Sequence, residues 1–241
     1  MPLPDTEIER VLAIAAHPDD LDFGAAGTLA GFVAAGLQVT YLLCTYGDQG
    51  GFDDTPREQM PALREAEQRV AAAAVGVDDV RFLSGYRDGW LEPTFELQRD
   101  LCRVIRQVRP QRVLAPSPER YWDRIGASHP DHLAAGEAAV RAIYPAARNP
   151  FSWPELLADE GLEPWTVQEL WLMAHHETNH TVDITDVFDR KLAALRAHAS
   201  QTSHLGAELE ERLRSWGSHL ALDGGLGDGR LAEAFRVVST G

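Results

Sequence analysis

Short apolar runs alternate with helical patterns along the first half of the chain, and this alternation constrains the fold most strongly. Strand-like runs occupy residues 10–16, 37–45, 80–85 and 112–117. Apolar side chains recur at helical spacing in residues 24–36, 57–76 and 95–110. Strands separated by helices pair in parallel, because each helix returns the chain to the starting end of the sheet. The sequence therefore predicts an α/β fold, with a Rossmann-like, mostly parallel sheet and helices on both faces.

The second half of the chain is less regular. Prolines and tryptophans interrupt residues 145–166, which predicts a packed loop rather than a flexible linker. Further patterns predict strands at 167–174, 181–184 and 234–240, a helix at 189–201 and a Gly-rich loop at 222–229. A length of 241 residues fits one large domain. We expect a single domain over residues 1–241 with a less regular C-terminal portion from about 145.

The charge balance excludes two classes of partner. The chain carries 37 acidic and 22 basic residues, a formal net charge of -15, which disfavours binding to nucleic-acid phosphates or to anionic lipid. No apolar run approaches the roughly 18 to 20 residues that a membrane span needs, and the N-terminus lacks the pattern of a signal peptide. We therefore predict a cytoplasmic protein that binds neither nucleic acid nor membrane.

Two similar motifs carry the chemistry. His-Pro-Asp-Asp at residues 17–20 follows the first strand, and His-Pro-Asp-His at residues 129–132 follows the loop after the fourth. Loops at the carboxyl ends of parallel strands converge on one crevice, so the motifs are expected to meet there. His17, Asp20 and His132 are a two-nitrogen, one-carboxylate set suited to one Zn²⁺ per chain, with a coordination position left open.

The remaining polar groups of these motifs fit the steps of a hydrolysis. Asp19 is the predicted general base for a water on the metal that attacks an acyl carbon. His129 is predicted to stabilise the developing oxyanion as a cation, with Asp131 orienting its ring and favouring its charged form. One such motif alone could be a strand-end turn, but two at the same sheet edge favour a functional site.

These residues resemble the PIG-L or LmbE-like N-deacetylases, zinc enzymes that deacetylate N-acetylglucosamine-containing compounds. The shared motifs occur in order as AHPDDLDFGAAGTLA, TYGDQG, LREAEQRVAAAAVGV, ASHPDH and KLAALRAHASQ. The resemblance implies zinc on His17, Asp20 and His132, Asp19 as general base, and an electrostatic pair in the second motif. It further implies a hydrolase that removes an N-acyl group, expected to be acetyl, from an aminosugar-containing small molecule.

Two residues are candidates for binding substrate. The resemblance suggests a substrate-side role for Arg64, for which the alternative is a helix salt bridge with Glu67. Asp48 is a candidate acceptor for a sugar hydroxyl, and its alternative is a turn aspartate between glycines. Ala127 stands where some family members have a tyrosine, so the sequence does not predict which residue contacts the acyl oxygen.

Two other functions and one assembly state stay open. His176, Glu177 and His180 spell the H-E-x-x-H signature of zincin proteases, but the segment lies between strand patterns instead of on a helix. A noncatalytic sugar- or nucleotide-binding α/β module would use the same polar residues only as hydrogen-bonding groups. The tryptophans and the proline-rich region could support a homo-oligomer. The sequence does not identify the physiological substrate.

Overall fold

A seven-stranded mixed sheet forms the centre of the computed structural model, which describes residues 2–52 and 54–241. Its strands are Arg10–Ala15 (β1), Gln38–Leu43 (β2), Asp79–Phe82 (β3), Arg112–Pro116 (β4), Glu169–Met173 (β5), His180–Asp183 (β6) and Ala232–Ser239 (β7). Their order is β3-β2-β1-β4-β5-β7-β6. The first five pair in parallel, whereas β7 lies antiparallel between β5 and β6.

Helices surround this sheet. They are Asp20–Gly24 (α1), Ala26–Ala34 (α2), Met60–Val75 (α3), Phe95–Val108 (α4), Pro130–Arg141 (α5), Pro154–Ala158 (α6), Phe188–Ala197 (α7), Ala199–Thr202 (α8) and Glu208–Asp223 (α9). Alternate side chains of β1 enter opposite cores: Leu12 and Ile14 pack with α4 and α5, while Val11 and Ala13 pack with α2 and α3. The predicted α/β fold, a mostly parallel sheet with helices on both faces, is therefore confirmed.

Two predicted helix boundaries are wrong. The helix expected over 24–36 is interrupted at Ala25, whose backbone is non-helical, so a separate short helix begins at Asp20. The helix expected from residue 57 begins at Met60 after a 3₁₀ turn at Arg57–Gln59. Pro61 then occupies the first turn, where the missing N–H of proline has no intrahelical partner to lose.

The sequence pattern predicts no element between residues 201 and 222, yet α9 fills most of this segment. Its buried positions are Leu209, Leu213, Gly217 and Ala221. This stripe is narrow and half of it is made of small residues, which is why the apolar periodicity is weak. Among the described residues, no helix is long and apolar enough to cross a membrane.

A buried ion pair and its hydrogen bonds join four of these elements. Lys191 Nζ on α7 lies 2.5 Å from Glu233 Oε1 on β7 and donates to the Phe23 carbonyl. The same carboxylate accepts the backbone N–H groups of Gly27 and Thr28, at the beginning of α2. Glu233 therefore fixes the helix start against the sheet.

We expect Glu233→Ala to lower the free energy of unfolding by about 3 kcal/mol, because the change leaves the Lys191 ammonium buried without its counter-charge. Urea unfolding measures this loss. Glu208→Ala, which breaks the exposed pair with Arg212 on α9, is the matched control and should cost at most about 1 kcal/mol. Equal losses in the two variants would contradict the structural role of the buried pair.

The contacts of Asp100 predict a pH-dependent stability. Burial would raise the pKa of Asp100, but the Tyr86 hydroxyl, Arg103 and Arg99 together hold it below its ordinary value. A lowered carboxyl pKa stabilises the fold above the unfolded-state value of about 3.9, and the stabilisation is lost as the pH falls through the folded-state value. Asp100→Asn should therefore cost about 1 kcal/mol at neutral pH. Urea unfolding at several pH values should show this difference shrinking in acid, and a constant difference would contradict it.

Candidate active site

Both predicted motifs meet at the carboxyl edge of the sheet. His17 follows β1, and His129 and His132 lie at the beginning of α5. The imidazole ring centroids of His17 and His132 are 5.3 Å apart, and those of His17 and His129 are 5.0 Å apart. Residues more than 100 positions apart in the sequence thus share one cluster, as parallel-strand topology predicts.

The three residues predicted to bind metal converge within this cluster. Asp20 Oδ1 lies 2.9 Å from His132 Nε2, and Asp20 Oδ2 lies 3.5 Å from His17 Nδ1. Burial alone would lower the pKa of both histidines, but the Asp20 carboxylate contributes to raising both. The protein therefore stabilises positive charge at this point, and two imidazole nitrogens with a carboxylate suit a divalent cation.

His129 competes with Asp20 for the role of third ligand, because its donor atoms also lie within 4.8 Å of those of His17 and His132. Its hydrogen bonding argues against this role. The backbone N–H of Asp131 donates to His129 Nδ1 at 3.2 Å, so in the neutral ring the hydrogen is on Nε2. A protonated Nε2 is a hydrogen-bond donor and has no lone pair for a metal.

The surroundings of His129 disfavour its charged form. Burial, His17 and His132 lower its pKa, and the opposing effect of Asp131 is smaller. The cationic role of His129 stays a prediction, and a neutral ring can also donate from Nε2 to a developing oxyanion.

The Asp131 carboxylate orients a different histidine from the predicted one. It accepts the backbone N–H of Gly89 at 2.7 Å and lies 3.1 Å from His17 Nε2. Asp88 Oδ1 lies 3.0 Å from the same nitrogen. With Nε2 directed to two carboxylates, His17 presents Nδ1 to Asp20, an arrangement that fixes ring orientation in many metal sites.

Sequence reasoning missed Asp88. Its only sequence signal is its place in the loop after β3, at the same edge of the sheet as the two motifs.

Asp19 is held in a constrained backbone conformation beside the proposed ligands. Its φ of 87° is in the left-handed region, and its N–H donates to Gln68 Oε1 at 2.9 Å. Burial raises the pKa of Asp19 to about 6, against the opposing effect of Arg64 and with a further contribution from Asp20. A carboxyl group of this pKa can exchange protons near neutral pH, as a general base requires.

Arg64 is not among the residues that line the cavity beside Asp20 and His132. It is buried, and its guanidinium donates to the Gly47 carbonyl at 2.8 Å, the Pro18 carbonyl at 2.6 Å and Asp19 Oδ2 at 3.2 Å. These contacts favour an internal role, and the substrate-side role of Arg64 stays a prediction. The alternative of a salt bridge to Glu67 is wrong, because that carboxylate accepts from Ser200. Arg64 is a positioning residue for Asp19.

Asp48 has an internal contact that its sequence environment did not reveal. It is half-buried, and its Oδ1 accepts the backbone N–H of Asp88 at 3.2 Å. Asp48 thus supports the loop that carries Asp88, and its predicted contact with a sugar hydroxyl stays a prediction.

A further buried network lies behind Asp19. Gln68, whose amide oxygen holds the Asp19 N–H, donates from Nε2 to Asp22 Oδ2 at 2.8 Å. His198 Nε2 lies 2.8 Å from the same oxygen, and His198 is fully buried. The sequence signal for this contact is the HASQ element at residues 198–201, whose partner the pattern alone did not indicate.

The zincin alternative is wrong. The segment from His176 to His180 is not helical, so its two histidines do not share a helix face. His180 begins β6 and packs edge-on against Trp171, with ring centroids 4.8 Å apart.

A cavity of about 600 Å³ opens at the cluster. Asp20 and His132 line it together with Tyr121, His175, His176 and Trp216, among others. Its volume lies within the range of about 300 to 1,000 Å³ that is typical of small-molecule sites. The arrangement of a cation-holding cluster, a base and an adjacent cavity suits hydrolysis of a small molecule.

Comparison with known proteins agrees with this chemistry. The family model described as GlcNAc-PI de-N-acetylase, PIG-L, matches residues 12–143. Diacetylchitobiose deacetylase of Thermococcus kodakarensis is 35% identical over 199 residues, covering 82% of this chain and 72% of that protein. A probable N-acetyl-alpha-D-glucosaminyl L-malate deacetylase 2 of Bacillus subtilis is 33% identical, covering 86% and 90% respectively.

A solved structure extends the likeness over almost the whole chain. N,N'-diacetylchitobiose deacetylase from Pyrococcus horikoshii, complexed with the inhibitor MPG, superposes with a TM-score of 0.88 at 31% identity. The alignment covers 98% of this chain and 85% of that one. On the combined evidence of its family model, its relatives and its fold, the chain belongs to the PIG-L family of N-deacetylases.

Proposed function

We propose that this protein is a Zn²⁺-dependent hydrolase that removes the N-acetyl group from an aminosugar-containing small molecule. The observation that carries the proposal is the position of the Asp20 carboxylate between His17 Nδ1 and His132 Nε2. Asp19 lies next to this set, and the cavity opens onto it. The named activities of the relatives support an acetylated aminosugar as substrate. Their membership in a family of hydrolases disfavours the noncatalytic binding module.

The residues present fit one zinc ion. His17, Asp20 and His132 would hold it, while the protonated Nε2 of His129 leaves that ring outside the ligand set. When bound, Zn²⁺ supplies a Lewis acid that polarises the acyl oxygen and lowers the pKa of water.

The chain's own groups then divide the work of amide hydrolysis. Asp19 accepts a proton from the attacking water and returns it to the amine nitrogen that leaves. His129 donates a hydrogen bond from Nε2 to the oxyanion that forms on the acyl carbon. Arg64 holds the Asp19 carboxylate, and Asp131 with Asp88 holds the His17 ring.

Metal content and amine release, measured on the same protein, test the proposal. Purified protein loaded with zinc should contain one ion per chain by mass spectrometry. It should release primary amine and acetate in equal amounts from N-acetylglucosamine, N,N'-diacetylchitobiose or another N-acetylglucosaminide. The matched negative substrates are the corresponding glucosides without the acetamide group. One zinc per chain with no amine released from any acetylated aminosugar would contradict the proposed function.

The cytoplasmic location and the capacity to form homo-oligomers stay predictions from the sequence. We also propose that residues 1–241 form one domain. A single sheet carries a hydrophobic core on each face, and these cores contain helices from both halves of the chain.

A further inference from the structure

Glu119, His175 and His176 form a polar cluster at the cavity, here called the rim cluster. Glu119 lies shortly after β4, and the two histidines follow β5, its parallel neighbour in the sheet. Glu119 Oε2 lies 3.5 Å from His175 Nε2 and 3.6 Å from His176 Nδ1. The two imidazole rings stack with centroids 4.6 Å apart. Three polar side chains are thus placed together at the carboxyl edge, outside the proposed catalytic set.

The donor atoms of the rim cluster lie within 4.8 Å of one another, which suggests a second metal site. The hydrogen bonding of His175 argues against it. The backbone N–H of Glu177 donates to His175 Nδ1 at 2.9 Å, so the neutral ring carries its hydrogen on Nε2. That nitrogen has no lone pair for a metal. His175 instead offers a donor and Glu119 an acceptor, the pair of functions that hydroxyl groups need.

The rim cluster shares its cavity with the proposed catalytic residues. His175 and His176 line the same cavity as Asp20 and His132. His175 is almost completely buried, with a side chain 6% exposed, so its Nε2–H is held in place, whereas the Glu119 side chain is 58% exposed. A substrate bound in the cavity beside Asp20 and His132 therefore has a fixed donor and a solvent-accessible carboxylate within the same site.

The charge of this region selects among ligands. Among the other polar side chains on the cavity wall, Lys191 pairs with Glu233, Asp223 lies 3.3 Å from His219, and the Arg124 guanidinium lies over the Trp216 ring. Glu119 contributes a negative charge on a side chain that is accessible to a ligand in the cavity. A carboxylate-bearing ligand would be repelled there, whereas a neutral polyol would not be.

We propose that the rim cluster binds hydroxyl groups of the moiety attached to the acetylated aminosugar, and that it favours a neutral sugar over a carboxylate-bearing group. This inference rests on the proposed function and specifies its substrate class. A disaccharide such as N,N'-diacetylchitobiose has the favoured chemistry, and an N-acetylglucosaminyl malate has the disfavoured chemistry.

Ligand binding to a catalytically disabled protein tests the rim cluster apart from turnover. Zinc-loaded Asp19→Asn protein is titrated by calorimetry with N-acetylglucosamine, N,N'-diacetylchitobiose and N-acetylglucosaminyl malate. Adding Glu119→Gln should weaken diacetylchitobiose binding about tenfold, because a charged hydrogen-bond acceptor is lost. Binding of N-acetylglucosamine should not change, and binding of the malate conjugate should tighten. Glu160→Gln, a carboxylate paired with Arg103 away from the cavity, is the matched control and should change none of the three.

The outcomes separate this inference from the proposed function. If Glu119→Gln changed the affinity for all three ligands equally, or for none of them, the proposed role of the rim cluster would be overturned. A second equivalent of metal that binds to wild-type protein but not to His175→Ala protein would also overturn the proposed role of the rim cluster. Wild-type protein that binds the ligands but releases no amine would contradict the proposed function, while the binding ratios would still decide the role of Glu119. Absence of binding to all three ligands would overturn both.

Discussion

Asp19→Asn protein is expected to keep one metal per chain and to lose about 100- to 10,000-fold in kcat. Asparagine has nearly the same shape as aspartate and tolerates the left-handed backbone that residue 19 adopts. The bond from the residue 19 N–H to Gln68 does not depend on the side chain. The amide, however, cannot accept a proton from water. Metal content by mass spectrometry and amine release on the same sample separate these effects.

The control for this variant is Asp79→Asn. Asp79 lies at the beginning of β3, at the opposite end of that strand from the carboxyl edge. Removing its charge should leave kcat unchanged. If Asp19→Asn protein kept wild-type turnover, the assignment of Asp19 as general base would be wrong. If it lost metal as well as turnover, Asp19 would belong to the ligand set.

His132→Ala protein is expected to lose both stoichiometric metal and turnover. His132 supplies one of two imidazole nitrogens, and its removal leaves His17 and Asp20, too few protein ligands for a catalytic zinc site. Loss of a residue that merely orients a ligand typically costs 10- to 100-fold in metal affinity, so loss of a ligand should cost at least about 100-fold. Competition with a chromophoric chelator measures the change in affinity.

The matched control is His204→Ala, which removes an exposed histidine stacked on Phe52. It should bind metal as the wild-type protein does. A comparison with His129→Ala tests the choice of third ligand: this variant should keep metal and lose turnover. Loss of metal in His129→Ala with retention in His132→Ala would reverse the two roles.

The sequence pattern predicted the sheet well where strands and helices alternate, and less well after residue 145. Strands β1 to β4 are short apolar runs that end at polar loops, and each pairs with a neighbour in the predicted parallel manner. The sequence pattern also predicts β7 as a strand. Its antiparallel position between β5 and β6, however, depends on the path of the chain before it. α9 escaped prediction because its buried stripe contains Gly217 and Ala221, which contribute little apolar signal.

The sequence likewise predicted some features of the candidate site and not others. The order and spacing of the two His-Pro-Asp motifs were enough to predict that His17, Asp20 and His132 converge, since strand ends in a parallel sheet share an edge. The same information gave Asp19 as the base. It could not assign the partners of Asp131, Arg64 or Asp22.

By itself, the sequence determined the parallel α/β core, the residues that can bind a cation and the class of chemistry they support. These follow from apolar periodicity and from short motifs, which are local properties of the chain. Only the tertiary structure decided that Asp131 and Asp88 orient His17, that Arg64 holds Asp19 and that Asp22 bonds to His198, 176 residues away. The physical reason is that a buried polar side chain bonds to whichever groups the packed elements place within about 3 Å of it, and no local pattern records that placement.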